Sequence, residues 1–310
     1  SSFHNSNGSQ NSKSFFDFLF FFQKFIFRTA DPLEQEGFPW RKPDLHFRSE
    51  QPSVTWIGHS TLLVRFHGKT ILTDPIFSTR ASPFSIIGPK RVVPPALSLH
   101  ELPPIDFVVI SHSHYDHLDL KTIKELAIKR KKTVFFVPLG LKNLLEGVGA
   151  RNVFELDWWD EIRVNDIAFI ATPAHHWSAR SLLDRNKSLW ASWMIVSQNF
   201  RFWFGGDTGY SDDFTEIRKR VGEPDLAAIP IGAYSPRAFM KNSHVNPGEA
   251  VDIFLNLGAK KAVAIHWGTF KLSTELLDEP PKKLQTALKA KNISQDLFRV
   301  LAHGETLFLD

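Results

Sequence analysis

Two patterns of apolar and polar positions follow one another along the chain. From residue 49 onward, short β-branched and aromatic runs come in quick succession at 54–57, 61–66 and 69–73, joined by Gly58-His59-Ser60 and by His67-Gly68. Extended runs separated by a His-Gly pair predict a tight hairpin. Asp74-Pro75 ends the third run. Residues 77–104, rich in Pro, Ser and Gly, predict a long loop, which in a compact domain tends to be functional or disordered. Further on, strand-like runs at 107–110, 133–137, 166–171, 189–196, 202–204, 226–229, 261–265 and 306–309 alternate with helix-like stretches at 121–129, 141–148, 214–221, 247–257 and 282–291. Hairpins in front and strand–helix alternation behind predict an α/β (α+β) architecture. Two sheets would pack face to face with helices outside, in one domain over residues 49–310.

Residues 1–48 stand apart from this pattern. The first dozen are polar and low in complexity and are expected to lie outside the fold. A Phe-rich stretch at 15–27 follows, broken by Asp17 and Lys24 and shorter than the roughly 20 residues that span a bilayer. It lacks the basic start and small-residue cleavage site of a secretory signal. Its expected place is on a membrane interface, or over an apolar patch of the body or of a partner subunit.

Composition narrows the chemistry. With no cysteine among 310 residues, disulfides, thiolate ligands and cysteine nucleophiles are excluded, so a metal here must be held by nitrogen and oxygen. A net charge of +4 suits an anionic substrate or a membrane surface and falls far short of a nucleic-acid signature. Twenty-eight phenylalanines and nine tryptophans supply apolar area for a core or a lipid-facing surface.

The candidate chemistry is concentrated in His112-Ser-His-Tyr-Asp-His-Leu-Asp119, which follows the strand-like run 107–110. Three imidazoles and a carboxylate within six residues would each need a buried partner if they were core, and together they suit zinc and its neighbours. Thr172-Pro-Ala-His175-His176-Trp177, Gly205-Gly206-Asp207-Thr208 and His266-Trp-Gly268 also follow strand-like runs. One sheet edge would therefore collect all four.

The HxHxDH pattern at His112, His114, Asp116 and His117, followed by His, Asp and His at strand ends, resembles the metallo-β-lactamase superfamily. Asp74-Pro-Ile-Phe-Ser-Thr-Arg-Ala-Ser-Pro83, Gly88-Pro-Lys-Arg91, Glu155-Leu-Asp-Trp-Trp159, Gly206-Asp-Thr-Gly-Tyr210, Ala227-Ala-Ile-Pro-Ile-Gly-Ala-Tyr234 and Ala264-Ile-His-Trp-Gly-Thr-Phe270 are similar to its N-acylphosphatidylethanolamine-hydrolysing phospholipase D family. The resemblance runs from about Phe38 to the C-terminus. It implies a four-layer αββα sandwich and two Zn2+ per chain, one on His112, His114 and His176, the other on Asp116, His117 and His266, with Asp207 as the bridge. Asp116, Asp207 and His244 are the candidate catalytic residues, with His244 contacting the phosphate or serving the leaving group. Asp74 and Asp119 are expected to orient ligands, and His175 to orient or simply be exposed. His59 is left open. The implied reaction converts N-acylphosphatidylethanolamine to phosphatidic acid and an N-acylethanolamine. Lactonases and nucleases of the superfamily share the ligand set, and a catalytically silent lipid-binding module is the alternative of another class. The resemblance also implies a homodimer. With neither a secretory signal nor a spanning helix in the sequence, the expected setting is cytoplasmic, attached peripherally to the inner face of a membrane, and the 15–27 stretch and the Trp158-Trp159 pair are expected to contribute an apolar entry route for the phospholipid.

Overall fold

Residues 2–9, 38, 40–43, 45, 51–181 and 183–309 are described in the computed structural model. The front runs form an antiparallel meander of β1 (Ser53–Gly58), β2 (Thr61–Phe66) and β3 (Lys69–Thr73). On β3 are laid, in parallel, β4 (Phe107–Val109), β5 (Val134–Pro138) and β6 (Asn152–Leu156), while β14 (Thr306–Phe308) pairs antiparallel with β1. The result is a seven-stranded sheet of order β14-β1-β2-β3-β4-β5-β6. A second sheet mirrors it. The antiparallel strands β7 (Glu161–Val164), β8 (Ile167–Thr172), β9 (Ser192–Val196) and β10 (Arg201–Phe204) continue into the parallel strands β11 (Leu226–Pro230), β12 (Lys261–Ile265) and β13 (Phe298–Arg299).

Strand periodicity explains the layering, because successive side chains point to opposite faces. Leu62, Val64 and Phe66 of β2, with Phe107, Val109 and Phe136, meet Phe169, Trp193 and Phe202 of the facing sheet in one core. Leu63, Leu72, Val108, Ile110, Phe135 and Val137 point the other way into a second core. That outer face is covered by α1 (Leu120–Lys129) and α2 (Lys142–Glu146), through Ile123, Leu126 and Leu145. On the far side of the second sheet lie α3 (Asp213–Val221), α5 (Pro247–Leu257) and α6 (Glu279–Ala290), with the short α4 (Arg237–Met240) before α5. The four layers are thus helix, sheet, sheet, helix, as the pattern predicts.

The differences from the sequence reading lie mostly at the margins. Strands β6, β7 and β13 went unread because they sit at or near sheet edges, where one face is wet and the apolar run is broken, as in Glu161-Ile-Arg-Val164. Helix α6 starts three residues before the expected 282, with Pro280 and Pro281 in its first turn, where a missing N–H costs nothing. The expected strand 189–196 is shorter. Leu189 and Ala191 instead donate their N–H groups to Leu139 and Ser111 of the other sheet's loops. Residues 2–9, expected to lie outside the fold, dock on the domain: Phe3 N donates to Asn186 O at 2.8 Å, and Asn5 is buried. The 15–27 stretch lies outside the described residues. Among those described, no helix is long and apolar enough to cross a membrane.

Candidate metal centre

Parallel pairing decides where the polar loops go. Strands β3 and β4 run in parallel, as do β10, β11 and β12, so the residues after their C-terminal ends gather along one edge of the sandwich. Asp74 follows β3, the His112–His117 loop follows β4, Asp207 follows β10 and His266 follows β12. His176, after β8, and His59, in the β1–β2 turn, reach the same edge. Gly206 allows one close approach among them. Its φ is +56°, and a Cβ on it would stand 2.4 Å from Ser111 Cβ.

Two donor groups result. In the first, His114 Nδ1 lies 2.8 Å from His112 Nε2 and 3.2 Å from His176 Nε2. Imidazole nitrogens bound at about 2.0–2.1 Å in a tetrahedral shell stand about 3.3 Å apart, so these three converge as ligands do. The second group is Asp116, His117 and His266, joined by His59. His266 Nε2 is 3.3 Å from Asp116 Oδ2, and His117 Nε2 is 3.2 Å from the same oxygen. Asp207 stands between the groups. Its Oδ1 is 3.1 Å from His266 Nε2, and its Oδ2 is 3.2 Å from His117 Nε2, 3.8 Å from His176 Nε2 and 3.9 Å from His112 Nε2.

The electrostatics fit a cation. Burial holds His112 and His176 well below the ordinary imidazole range and brings His114 down to about 4, so all three are neutral and carry lone pairs. Asp207 is buried and Asp116 only partly exposed, and this desolvation alone would raise both, yet the surrounding imidazoles hold them well below the carboxylate range. Burial opposes charge on His266 too, but Asp207 and Asp116 outweigh it and lift the ring to about 9. The second group thus attracts positive charge, which a proton or a metal can supply. Despite their short approaches, buried His117 Nε2 and Asp207 Oδ1 make no hydrogen bond among the described residues. Buried polar atoms left so close and unsatisfied call for a further partner, and the donor set suits a divalent metal.

A family model described as a beta-lactamase superfamily domain matches residues 69–267. N-acyl-phosphatidylethanolamine-hydrolyzing phospholipase D 1 of Caenorhabditis elegans is 43% identical over 254 residues, covering 78% of this chain and 71% of the worm protein. The chain belongs to this phospholipase D family of the metallo-β-lactamase superfamily. The mitochondrial N-acyl-phosphatidylethanolamine-hydrolyzing phospholipase D of Saccharomyces cerevisiae is 41% identical over 238 residues, which make up 74% of this chain and 50% of the yeast protein. Among solved structures, a metallo hydrolase of the archaeon Ignicoccus hospitalis superposes with a TM-score of 0.63 at 20% identity, covering 84% of this chain and 99% of the archaeal one. An isothiocyanate hydrolase from Delia radicum gut bacteria gives 0.66 at 19% identity, over 83% of this chain and all of its own. These two share the fold, and the protein is a metal-dependent hydrolase.

Several residues of the hydrolase hold the donors in place. Buried Asp74 accepts from His117 Nδ1 at 2.6 Å and from Ser111 Oγ at 2.5 Å, so His117 carries its proton on Nδ1 and turns Nε2 to the centre. Asp74 thus takes the orienting place expected of it. Asp119 does not. It caps α1 by accepting from Lys121 N at 3.1 Å and ties down the long loop by accepting from Ser78 N at 3.0 Å, because a carboxylate just before a helix finds free N–H groups there. His59 is buried and held at about 3, chiefly by burial and then by the charge of His266. Neutral, with Nε2 3.0 Å from Asp116 Oδ2, it donates to that carboxylate and steadies it. His175 is buried rather than exposed and faces away from the donors, with Nδ1 2.9 Å from Asn242 O. His244 looks into the centre, its Nδ1 3.8 Å from Asp207 Oδ2 and its ring 14% exposed. Trp158 and Trp159 pack against the core, Trp158 Nε1 bonding Trp190 O at 2.7 Å; neither lines the cavity next to the His-rich loop. Sequence reading missed Arg180. Its guanidinium donates to Ser113 O and Leu118 O at 2.7 and 2.8 Å and stacks on Tyr115, clamping the His-rich loop from outside. An arginine four residues after His176 carries no local signal of that role.

Proposed function

We propose that the protein is a zinc-dependent phosphodiesterase of phospholipase D type that hydrolyses N-acylphosphatidylethanolamine to phosphatidic acid and an N-acylethanolamine. Two Zn2+ per chain would be held, one by His112, His114 and His176, the other by Asp116, His117 and His266, with Asp207 between them. The observation that carries this reading is Asp207, whose two oxygens address both donor groups at once. The names of the worm and yeast relatives support the substrate. When bound, a pair of such ions supplies Lewis-acid charge for the phosphate oxygens and makes water acidic enough to act as a nucleophile near neutral pH.

The chain's own groups then have distinct tasks. Asp116, steadied by His59, and Asp207 fix negative charge at the centre. His244, at the mouth beside Asp207, contacts the phosphate or gives a proton to the departing N-acylethanolamine oxygen. Next to the His-rich loop lies a cavity of about 430 Å3 lined by Arg80, Lys121, Arg180, Tyr115 and Phe84 among others. Its cations suit a phosphodiester, and the exposed Phe84 in its lining, with exposed Ile86 and Ile87 next in the chain, suits acyl chains or a lipid surface. Peripheral attachment to the inner face of a membrane and a homodimer complete the proposal.

Purified protein is expected to carry two Zn2+ per chain and to cleave a fluorogenic N-acylphosphatidylethanolamine. Asp207→Asn should abolish turnover, a loss beyond the roughly hundredfold that orienting partners alone reach. Wild-type rates in that variant, or a single ion per chain, would refute the assignment, and turnover of a lactone in place of the lipid would refute the substrate.

A further inference from the structure

The N-terminal residues 2–9 reach the metal centre from outside the sandwich. Asn5 N donates to Ser9 O at 3.1 Å and Gly8 N to Asn5 O at 2.8 Å, closing a small turn that presents the Asn5 side chain inward. Asn5 is 4% exposed, and its Oδ1 accepts from two donors: the backbone N–H of His176 at 3.0 Å and Trp190 Nε1 at 3.1 Å. Trp190 Nε1 also reaches Ala174 O at 2.9 Å, so one oxygen of Asn5 ties the His176 backbone to the ring that braces the same loop two residues earlier. Around this point the segment is pinned twice more. Ser9 Oγ lies 3.1 Å from His175 Nε2, and Ser6 Oγ donates to Asp213 Oδ2 at 2.8 Å on α3.

We infer that Asn5 is a positioning residue for the metal centre, its side-chain oxygen fixing the backbone at His176 so that the N-terminal segment completes the His112, His114 and His176 group. The physical reason is leverage. His176 presents Nε2 to the centre while its Nδ1 meets Ser243 O at 2.9 Å, so the ring is aligned from one side and the main chain that carries it from the other. The inference rests on the metal reading of the cluster and not on the identity of the substrate.

The test uses the full chain, stripped of metal and titrated with Co2+, whose visible absorption reports its coordination. Asn5→Ala should bind Co2+ about ten- to a hundredfold more weakly, as loss of an outer partner does, with an altered spectrum. Asn5→Asp keeps an acceptor oxygen and exchanges Nδ2, which has no hydrogen-bond partner among the described residues, for a second oxygen whose negative charge a bound cation offsets, so it should restore the affinity and spectrum. Ser6→Ala, which releases the segment from α3 alone, should match wild type. Asn5→Leu keeps the volume without the acceptor and makes the same measurement if Asn5→Ala does not fold. Wild-type affinity in the Ala or Leu variant overturns the inference, as does a lowered thermal stability of the metal-free form with unchanged Co2+ affinity, which marks a purely structural role. Equal losses in Asn5→Asp and Asn5→Ala overturn it as well. If wild-type protein itself binds no Co2+, the metal reading fails first.

Discussion

His303 shows how strongly this interior selects against charge. It is 1% exposed, sits 4.0 Å from the Trp56 ring and places Nε2 3.0 Å from Thr269 Oγ1. Burial first, then the nearby positive charge of Arg91, lower it from 6.5 to about 3. A depressed folded value means that below pH 6.5 the unfolded chain takes up a proton the folded protein refuses. Its contribution is complete above pH 6.5 and is lost as pH falls toward 3, at up to about 1.4 kcal/mol per pH unit. Urea midpoints should therefore fall steeply between pH 6.5 and 5, and His303→Gln should flatten that slope by about one proton. An unchanged slope would refute the assignment. At this scale the sequence was legible where chemistry is local: the HxHxDH pattern announces donors by residue type alone. Asn5, Arg180 and Ser111 were not legible, because each acts through a hydrogen bond to a residue far away in the chain.

Among the elements, α5 couples stability to the site. Asn246 Oδ1 accepts from Glu249 N at 3.0 Å and Glu249 Oε2 accepts from Asn246 N at 3.0 Å, a reciprocal cap on the helix start. Arg237 of α4 bonds both Glu249 and the carbonyl of His244, and Val245 N donates to Thr208 O at 2.9 Å. The cap therefore also fixes the segment that brings His244 to Asp207. Asn246→Ala should cost about 1 kcal/mol in chemical denaturation and lower turnover while leaving bound metal unchanged. Loss of metal in that variant would show that the cap acts on the donors instead. Element boundaries divide along the same physical line. Central strands such as β8 and β11, buried on both faces, read as continuous apolar runs, whereas half-wet edge strands do not.

For the molecule as a whole, the proposed lipid substrate makes the 15–27 stretch the segment to test. Should the 15–27 stretch serve a lipid surface, replacing it with a Gly/Ser linker, which leaves residues 2–9 in place, should impair hydrolysis of vesicle-bound lipid more than of a soluble phosphodiester. Equal losses would count against that role. The sequence by itself determined the alternation of strands and helices, the exclusion of thiolate chemistry, and which histidines and aspartates are available, since periodicity and donor type are properties of short stretches. Only the tertiary structure decided that these donors meet, that Asp207 stands between two groups, that Asp119 caps a helix while His59 steadies Asp116, and that the N-terminal turn belongs to the site. Those facts depend on which strand ends lie side by side, and sheet pairing joins positions separated by up to two hundred and more residues, as β1 and β14 do, through contacts no local pattern encodes.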